Sequence, residues 1–332
     1  MSQNNRIVSG MRPTGPLHLG HYFGVLANWL ELQEKHECFF FVADWHALTS
    51  EYADPTRIKG FVPELVKDWV AAGLDPEKCV IFQQSQIKEH AELHLILSMM
   101  TPLGWLERNP TYKEMKQELV QKDLNTYGFL GYPVLMASDI LIYLPMGVPV
   151  GQDQLPHLEL TREIARRYNQ VSGAELLPEP KALLTPEAKL PGLDGRKMSK
   201  SYGNSIQLGE PLDDIMPKIR GMLTDKNRLR KSDPGDPGIC NLYPYHKLMT
   251  DPERLDEIQA GCRDASWGCV DCKKLLFESL ARFLEPIQAR RAGLTANPDE
   301  IWGILEAGNA KARERAQANM AAVRGRINFE YS

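Results

Sequence analysis

Two stretches far apart in the chain concentrate side chains able to handle phosphate. In Arg6–Gly24 (RIVSGMRPTGPLHLGHYFG) a short apolar run leads through a Gly/Pro turn to the start of a helix near His18-Leu19-Gly20-His21. Gly10, Gly15 and Gly20 let backbone approach a ligand, and the free N–H groups at a helix start favour an anion. Two imidazoles three residues apart share the first helical turn. They can donate hydrogen bonds to phosphate oxygens that gain charge during a displacement. The glycines lack the G-x-G-x-x-G spacing of dinucleotide sites, and no G-K-[ST] follows them. Helix capping or plain packing is the simpler role open to the same histidines.

The second stretch, Leu193–Asn204 (LDGRKMSKSYGN), is a loop by composition. Arg196, Lys197, Ser199, Lys200 and Ser201 surround Met198, with glycines near both ends to serve as hinges. Such a loop can close over a polyphosphate, neutralise developing charge and reopen for release.

Between them lies Tyr132–Leu144 (YPVLMASDILIYL). Pro133 favours the first turn of a helix on which Met136, Asp139, Ile140 and Tyr143 share one face. A lone carboxylate in that apolar stripe is costly unless something donates to it. The donor is either the protein itself, through backbone or a core tyrosine, or a ligand N–H or O–H. Val148–Val150 then reads as a strand ending in a polar turn, Gly151-Gln152-Asp153-Gln154, suited to a ribose or an adenine edge.

The elements that must position these groups alternate. Apolar runs at Cys38–Ala43 and Cys79–Phe82 fit buried strands, and Arg57–Gly73 and His90–Met100 fit amphipathic helices. The pattern predicts an α/β fold, a Rossmann-type doubly wound parallel sheet with ligands at the carboxyl ends of its strands. Beyond residue 203 helical periodicity takes over. Leu275, Leu276, Leu280, Phe283 and Leu284 form one stripe, and Ile301, Ile304 and Leu305 begin another. A catalytic domain over 1–203 and an all-α domain over 204–332 are expected.

The chain has 332 residues, 43% hydrophobic and 25% charged, as in an ordinary globular protein. It shows neither a long apolar span nor a hydrophobic leader, which predicts a cytoplasmic protein with no membrane partner. A net charge of -4 excludes a uniformly basic coat, while Lys218, Arg220, Lys226, Arg228, Arg230 and Lys231 crowd one segment and permit a local basic face. Of the six cysteines, Cys38 and Cys79 sit in apolar strands as small hydrophobes. Cys240, Cys262, Cys269 and Cys272 come close together, and in a reducing compartment that set suggests metal before disulfide.

With HLGH, the Asp139 helix, the GQDQ turn and KMSKS in one order, the chain resembles a class I aminoacyl-tRNA synthetase, and within that class the tryptophanyl-tRNA synthetase family. The resemblance covers essentially the whole chain. It implies ATP- and Mg²⁺-dependent activation of L-tryptophan, transfer to tRNA(Trp), a helical anticodon-binding domain and a homodimer. By matching positions it assigns His18, His21, Lys197 and Lys200 to catalysis. ATP contacts fall on Arg12, Pro13, Thr14, Gly20, His21, Gly151, Gln152, Asp153, Leu190 and Lys197 to Ser201. Asp139 accepts the indole N–H, with Tyr132 and Met136 lining the ring pocket. Arg12 departs from the glutamine common in bacterial members, and His21 from their frequent asparagine. The late cysteines resemble a subset holding a [4Fe–4S] cluster, although four thiolates also suit Zn²⁺. Tyrosyl-tRNA synthetase is the nearest alternative; a small-molecule nucleotidyltransferase or an RNA-binding module would each explain only part of the chain.

Overall fold

Short β-branched and aromatic runs separated by amphipathic helices leave little choice but a covered parallel sheet, and the computed structural model has one. It describes residues 5–110, 112–113, 123–184 and 190–327, with Ser201 described in its backbone only. Strand β1 (Arg6–Met11) leads to a helical run comprising α1 (Leu19–His21), a π turn (Tyr22–Leu26) and α2 (Ala27–Leu32). Then come β2 (Glu37–Val42), α3 (Asp44–Glu51), α4 (Thr56–Ala72), β3 (Cys79–Gln83), α5 (Glu89–Met100) and α6 (Leu103–Arg108). Helix α7 (Tyr127–Leu141), β4 (Gly147–Val150), α8 (Leu155–Ser172) and β5 (Lys181–Leu184) complete the sheet region. The sheet order is β3-β2-β1-β4-β5, with every pairing parallel. The chain winds outward from β1 in one direction and then crosses to β4 on the other side, so a crevice opens at the carboxyl ends of β1 and β4.

The second half is helical as its periodicity predicts: α9 (Leu212–Gly221), α10 (Tyr243–Met249), α11 (Pro252–Arg263), α12 (Cys269–Ala296) and α13 (Pro298–Arg326). Leu276, Leu280 and Leu284 of α12 are fully buried in the same hydrophobic cluster as Leu17, Leu19 and Trp69. On the sheet's other flank, Ala312, Ala316 and Met320 of α13 share a cluster with Leu93 and Leu97 of α5. Helix α13 lies directly on edge strand β3: a Cβ at Gly308 would come within 1.8 Å of the Ile81 carbonyl oxygen. Asn309 Oδ1 accepts from the Gln83 N–H at 2.9 Å.

One boundary differs from its expectation. The Asp139 helix begins at Tyr127, capped by Thr126, whose Oγ1 accepts from Phe129 N at 3.2 Å, so Pro133 lies inside the helix. The cap outweighs the proline's preference for the first turn.

Candidate active site

The opening turn stands at the crevice because its backbone is fastened on both sides. Leu19 N donates to Ile206 O (3.0 Å) and Leu208 N to Leu17 O (2.9 Å), which zips the end of the lysine loop onto the turn. Leu17 N donates to Asp68 Oδ2 at 2.9 Å, and Arg291 Nε of α12 donates to Asp68 Oδ1 at 2.7 Å. His18 and His21 pack with ring centroids 3.7 Å apart. The His18 backbone N–H donates to His21 Nδ1 (3.2 Å), so neutral His21 carries its proton on Nε2, free to serve as a donor. Burial, and then Lys200, lowers the His18 pKa to about 4; burial, helped by His18 and Lys200, lowers that of His21 as well. Both rings are therefore neutral donors near pH 7. His18 Nδ1 is buried without a partner among the described residues, which suits a site completed by a ligand.

Asn204 ties the lysine loop into a compact shape: its Oδ1 accepts from Ser199 N (2.8 Å), and its Nδ2 donates to Asp194 Oδ1 (2.7 Å) and Lys197 O (3.1 Å). Gly195 and Gly203 take positive φ of 80° and 64°, where a side chain would be strained. Met198 is buried, its Sδ 3.3 Å from Gly20 N. Lys200 reaches Gly15, whose added Cβ would lie 3.3 Å from Nζ, whereas Lys197 is exposed. Burial lowers the Lys200 pKa to about 8, against the opposing pull of Asp68. Because kcat/KM reports groups of the free enzyme, kcat/KM for ATP should fall as pH rises through about 8, where Lys200 loses its charge. A rate profile that stays flat across that range would remove Lys200 from the phosphate site.

Asp139 is fully buried. It accepts from Gln84 Nε2 at 2.8 Å on each oxygen, from His90 Nδ1 at 2.6 Å on Oδ1 and from His46 Nε2 at 2.7 Å on Oδ2. Burial alone would raise its pKa, but the hydrogen bonds from His46 and His90 outweigh it and lower the value to about 2. Nearby, the Tyr132 hydroxyl is 3.0 Å from His157 Nε2, and Met136 packs beside Ile140, Val148 and Val150. The result is a fully buried, ionised carboxylate held by three side-chain donors.

The structure gathers His18, Gly20, His21, Met198 and Lys200 into one cluster. Pro13 is buried, and Arg12 and Thr14 are exposed at the same turn, Arg12 within electrostatic reach of Glu51 and Tyr132. Gly151 starts the turn after β4, where Asp153 Oδ1 would stand 2.6 Å from an added Cβ; Gln152 and Asp153 are exposed. Leu190 is buried in the core, and the Ser201 side chain lies outside the described residues. Sequence reasoning missed His46, Gln84, His90 and Asp68. Two of them had a signal, since Gln84 directly follows β3 and His46 lies in the first turn of the helix after β2, where a parallel sheet presents ligand-facing groups.

The cysteine expectation is supported only in part. Cys240, Cys262, Cys269 and Cys272 lie close enough for their charges to interact, and burial raises the thiol pKa of Cys240, Cys262 and Cys272, the last to about 12. Cys272 Sγ is 3.3 Å from His246 Nε2. Among the described residues no group of three or more His, Cys, Asp or Glu is arranged to hold a metal ion, so the geometry does not support an iron–sulfur or zinc centre. Burial favours the protonated thiol at Cys240, Cys262 and Cys272, whereas metal ligation needs thiolates aimed at one point. Among the described residues, no helix is long and apolar enough to cross a membrane.

A family model described as tRNA synthetases class I (W and Y) matches residues 1–285. The chain is 52% identical to the tryptophan–tRNA ligase of Thermotoga maritima and 46% identical to that of Aquifex aeolicus, in each case over 98% of this chain and 100% of the relative. Among solved structures it is similar to tryptophanyl-tRNA synthetase from Campylobacter jejuni complexed with ADP and tryptophan, with TM-score 0.88 and 34% identity, over 97% of this chain and 99% of that one. A parallel sheet with the two signature stretches at its switch point, and full-length identity at this level, place the chain in the tryptophanyl-tRNA synthetase family of class I.

Proposed function

We propose that the protein joins L-tryptophan to the adenylyl group of ATP, releasing pyrophosphate, and passes the tryptophanyl group to tRNA(Trp), releasing AMP. The observation that carries this reading is the pairing of a neutral two-histidine turn and a half-buried lysine with the buried, ionised carboxylate of Asp139. Adenylate formation is an in-line attack of the amino-acid carboxylate on the α-phosphate, so no protein nucleophile is required. The protein positions the reactants and stabilises the leaving pyrophosphate. His18 and His21 donate to phosphate oxygens, Lys200 and Lys197 neutralise charge, and Mg²⁺ enters with ATP. Gly151, Gln152 and Asp153 take the ribose and adenine, with Arg12, Pro13, Thr14 and Leu190 around them. Asp139 accepts the indole N–H, and Tyr132 and Met136 flank the ring. Amino-acid-dependent ATP–pyrophosphate exchange tests this directly. Exchange is expected with tryptophan and not with tyrosine, and exchange with tyrosine alone would overturn the assignment.

The helical half, 204–332, with its basic segment from Lys218 to Lys231, is assigned to the tRNA. A homodimer is supported by apolar side chains left exposed on α5 and α6, namely Leu95, Met99 and Leu103 at 55%, 74% and 56%. A cytoplasmic site of action follows from this role. The finer reading of Cys240, Cys262, Cys269 and Cys272 as ligands of a [4Fe–4S] cluster or Zn²⁺ rests on donor chemistry alone, since four neighbouring thiols are a suitable set once deprotonated. Anaerobically purified protein should then carry iron with visible absorbance, or zinc. Protein free of both metals would end that reading.

A further inference from the structure

A carboxylate offers about four acceptor positions, and in Asp139 they are all taken. Gln84 Nε2 lies 2.8 Å from both oxygens, His90 Nδ1 2.6 Å from Oδ1 and His46 Nε2 2.7 Å from Oδ2. If Asp139 accepts the indole N–H, as proposed above, one of these donors must yield. Gln84 is fully buried and anchored at its other end, because its Oε1 accepts from the Trp45 N–H at 3.1 Å. His90 is fully buried as well, and its Nε2 is held 2.8 Å from the Tyr143 hydroxyl. His46 differs on both counts. Its side chain keeps 12% of its surface exposed, and among the described residues its ring makes no hydrogen bond other than the one to Asp139.

We infer that His46 is the exchangeable donor of the specificity site: it occupies Asp139 Oδ2 until tryptophan arrives, and the indole N–H takes its place. Gln84 and His90 hold the carboxylate in position throughout. The inference rests on the reading of Asp139 as the indole acceptor. Its chemistry is an exchange of one N–H···O⁻ bond for another, with no proton transferred. It also explains how a fully buried carboxylate stays ionised before substrate binds, since an unpaired buried charge would be strongly disfavoured.

The exchange has a distinctive consequence. Displacing His46 costs every ligand that fills the ring pocket the same amount, so His46 lowers affinity without itself choosing between rings. Selectivity comes from what replaces it. An isostere with sulfur in place of the ring N–H leaves Oδ2 one donor short, whereas tryptophan restores the bond.

The test compares tryptophan with 3-(3-benzothienyl)alanine by calorimetry on the full-length protein, wild type and His46→Ala. Both ligands should bind about tenfold more tightly to the variant, the order expected for one charge-assisted hydrogen bond no longer surrendered, and their affinity ratio should stay unchanged. Weaker tryptophan binding with a reduced ratio would overturn the exchange and make His46 a positioning residue that stays on Asp139. Wild-type protein labelled with ¹⁵N-histidine gives a measurement independent of the variant's folding. Without ligand, two histidine ring N–H signals should lie in the strongly hydrogen-bonded region. With saturating ¹⁵N-indole tryptophan, one should leave as the indole signal enters. Persistence of both beside a hydrogen-bonded indole signal refutes the exchange alone. An indole signal without a hydrogen-bond shift, and a wild type that does not prefer tryptophan to the sulfur isostere, would refute the Asp139 reading itself.

Discussion

Asp139→Asn should lower kcat/KM for tryptophan in adenylate formation by about 10³- to 10⁴-fold, in the range seen when a buried site loses its match to a substrate hydrogen bond. The amide keeps the side chain's shape but presents an N–H₂ group on one side, and every neighbour already there is a donor: Gln84 Nε2, His90 Nδ1 and His46 Nε2. One of those donors then loses its acceptor, and an indole N–H that arrives on the amide side meets a donor. Steady-state exchange kinetics check the effect, and a variant within tenfold of wild type for tryptophan would exclude Asp139 as the indole acceptor. Asp139→Ala should also destabilise the fold by about 3–5 kcal/mol, the usual cost of breaking a buried charged network on one side. The pH dependence has a definite sign. The folded pKa of about 2 lies below the value near 3.9 of an unfolded aspartate, so the carboxylate's contribution is present above that higher value. It is lost as pH falls toward 2. Acid unfolding of wild type should steepen in that window, and the Asn variant should lack that component.

Lys200→Ala should reduce kcat for adenylate formation by about 10²- to 10³-fold, the range for removing one preorganised group that stabilises transition-state charge. Apparent ATP affinity should change much less, because Gly151, Gln152 and the turn at Arg12–Thr14 remain. Rapid-quench measurement of adenylate in a single turnover separates this from product release. A loss confined to ATP affinity would reassign Lys200 to ground-state binding. Lys197 is exposed, so its substitution is expected to cost less in the ATP-free geometry than that of Lys200, which is half-buried against Gly15. Lys200 and His18 lie within electrostatic reach of each other, so a double variant with His18→Ala should lose less than the sum of the two single effects.

Parts of this structure were legible because local chemistry and global fold agree there. Cys38–Ala43 and Cys79–Phe82 are apolar with no period, as a strand covered on both faces must be, and β2 and β3 lie within a residue or two of those spans. Gly73 announced the end of α4 because its φ of 121° is one that other residues rarely adopt. His18, His21 and Lys200 were legible as types at a spacing. Their meeting depends on the 206–208 segment pairing with Leu17 and Leu19, a long-range contact that no local pattern records. The surroundings of Asp139 were hidden for the same reason. Its partners come from α3, the end of β3 and α5, and only the parallel sheet brings those ends together. Pro133 misled because a proline reports where a helix is permitted to begin, while Thr126 decides where it does. The late cysteines show the opposite limit: spacing brings four thiols near one another, yet it does not set where they point.

The contact between Gly308 and Ile81 bears on how the protein is made. Strand β3 ends the sheet, and an uncovered edge of apolar residues is a template for pairing with other chains. Here the cover is supplied by a helix that follows much later, with Asn309 capping the Gln83 N–H across a separation of 226 residues. A ribosome therefore exposes CVIFQ long before it produces the helix that shields it. Any bulk at position 308 would lift that helix off the strand, since even a methyl group meets backbone there. For this chain, the interval between making an edge and closing it is the period of greatest exposure to aggregation, and a glycine with no part in the chemistry determines whether that interval ends.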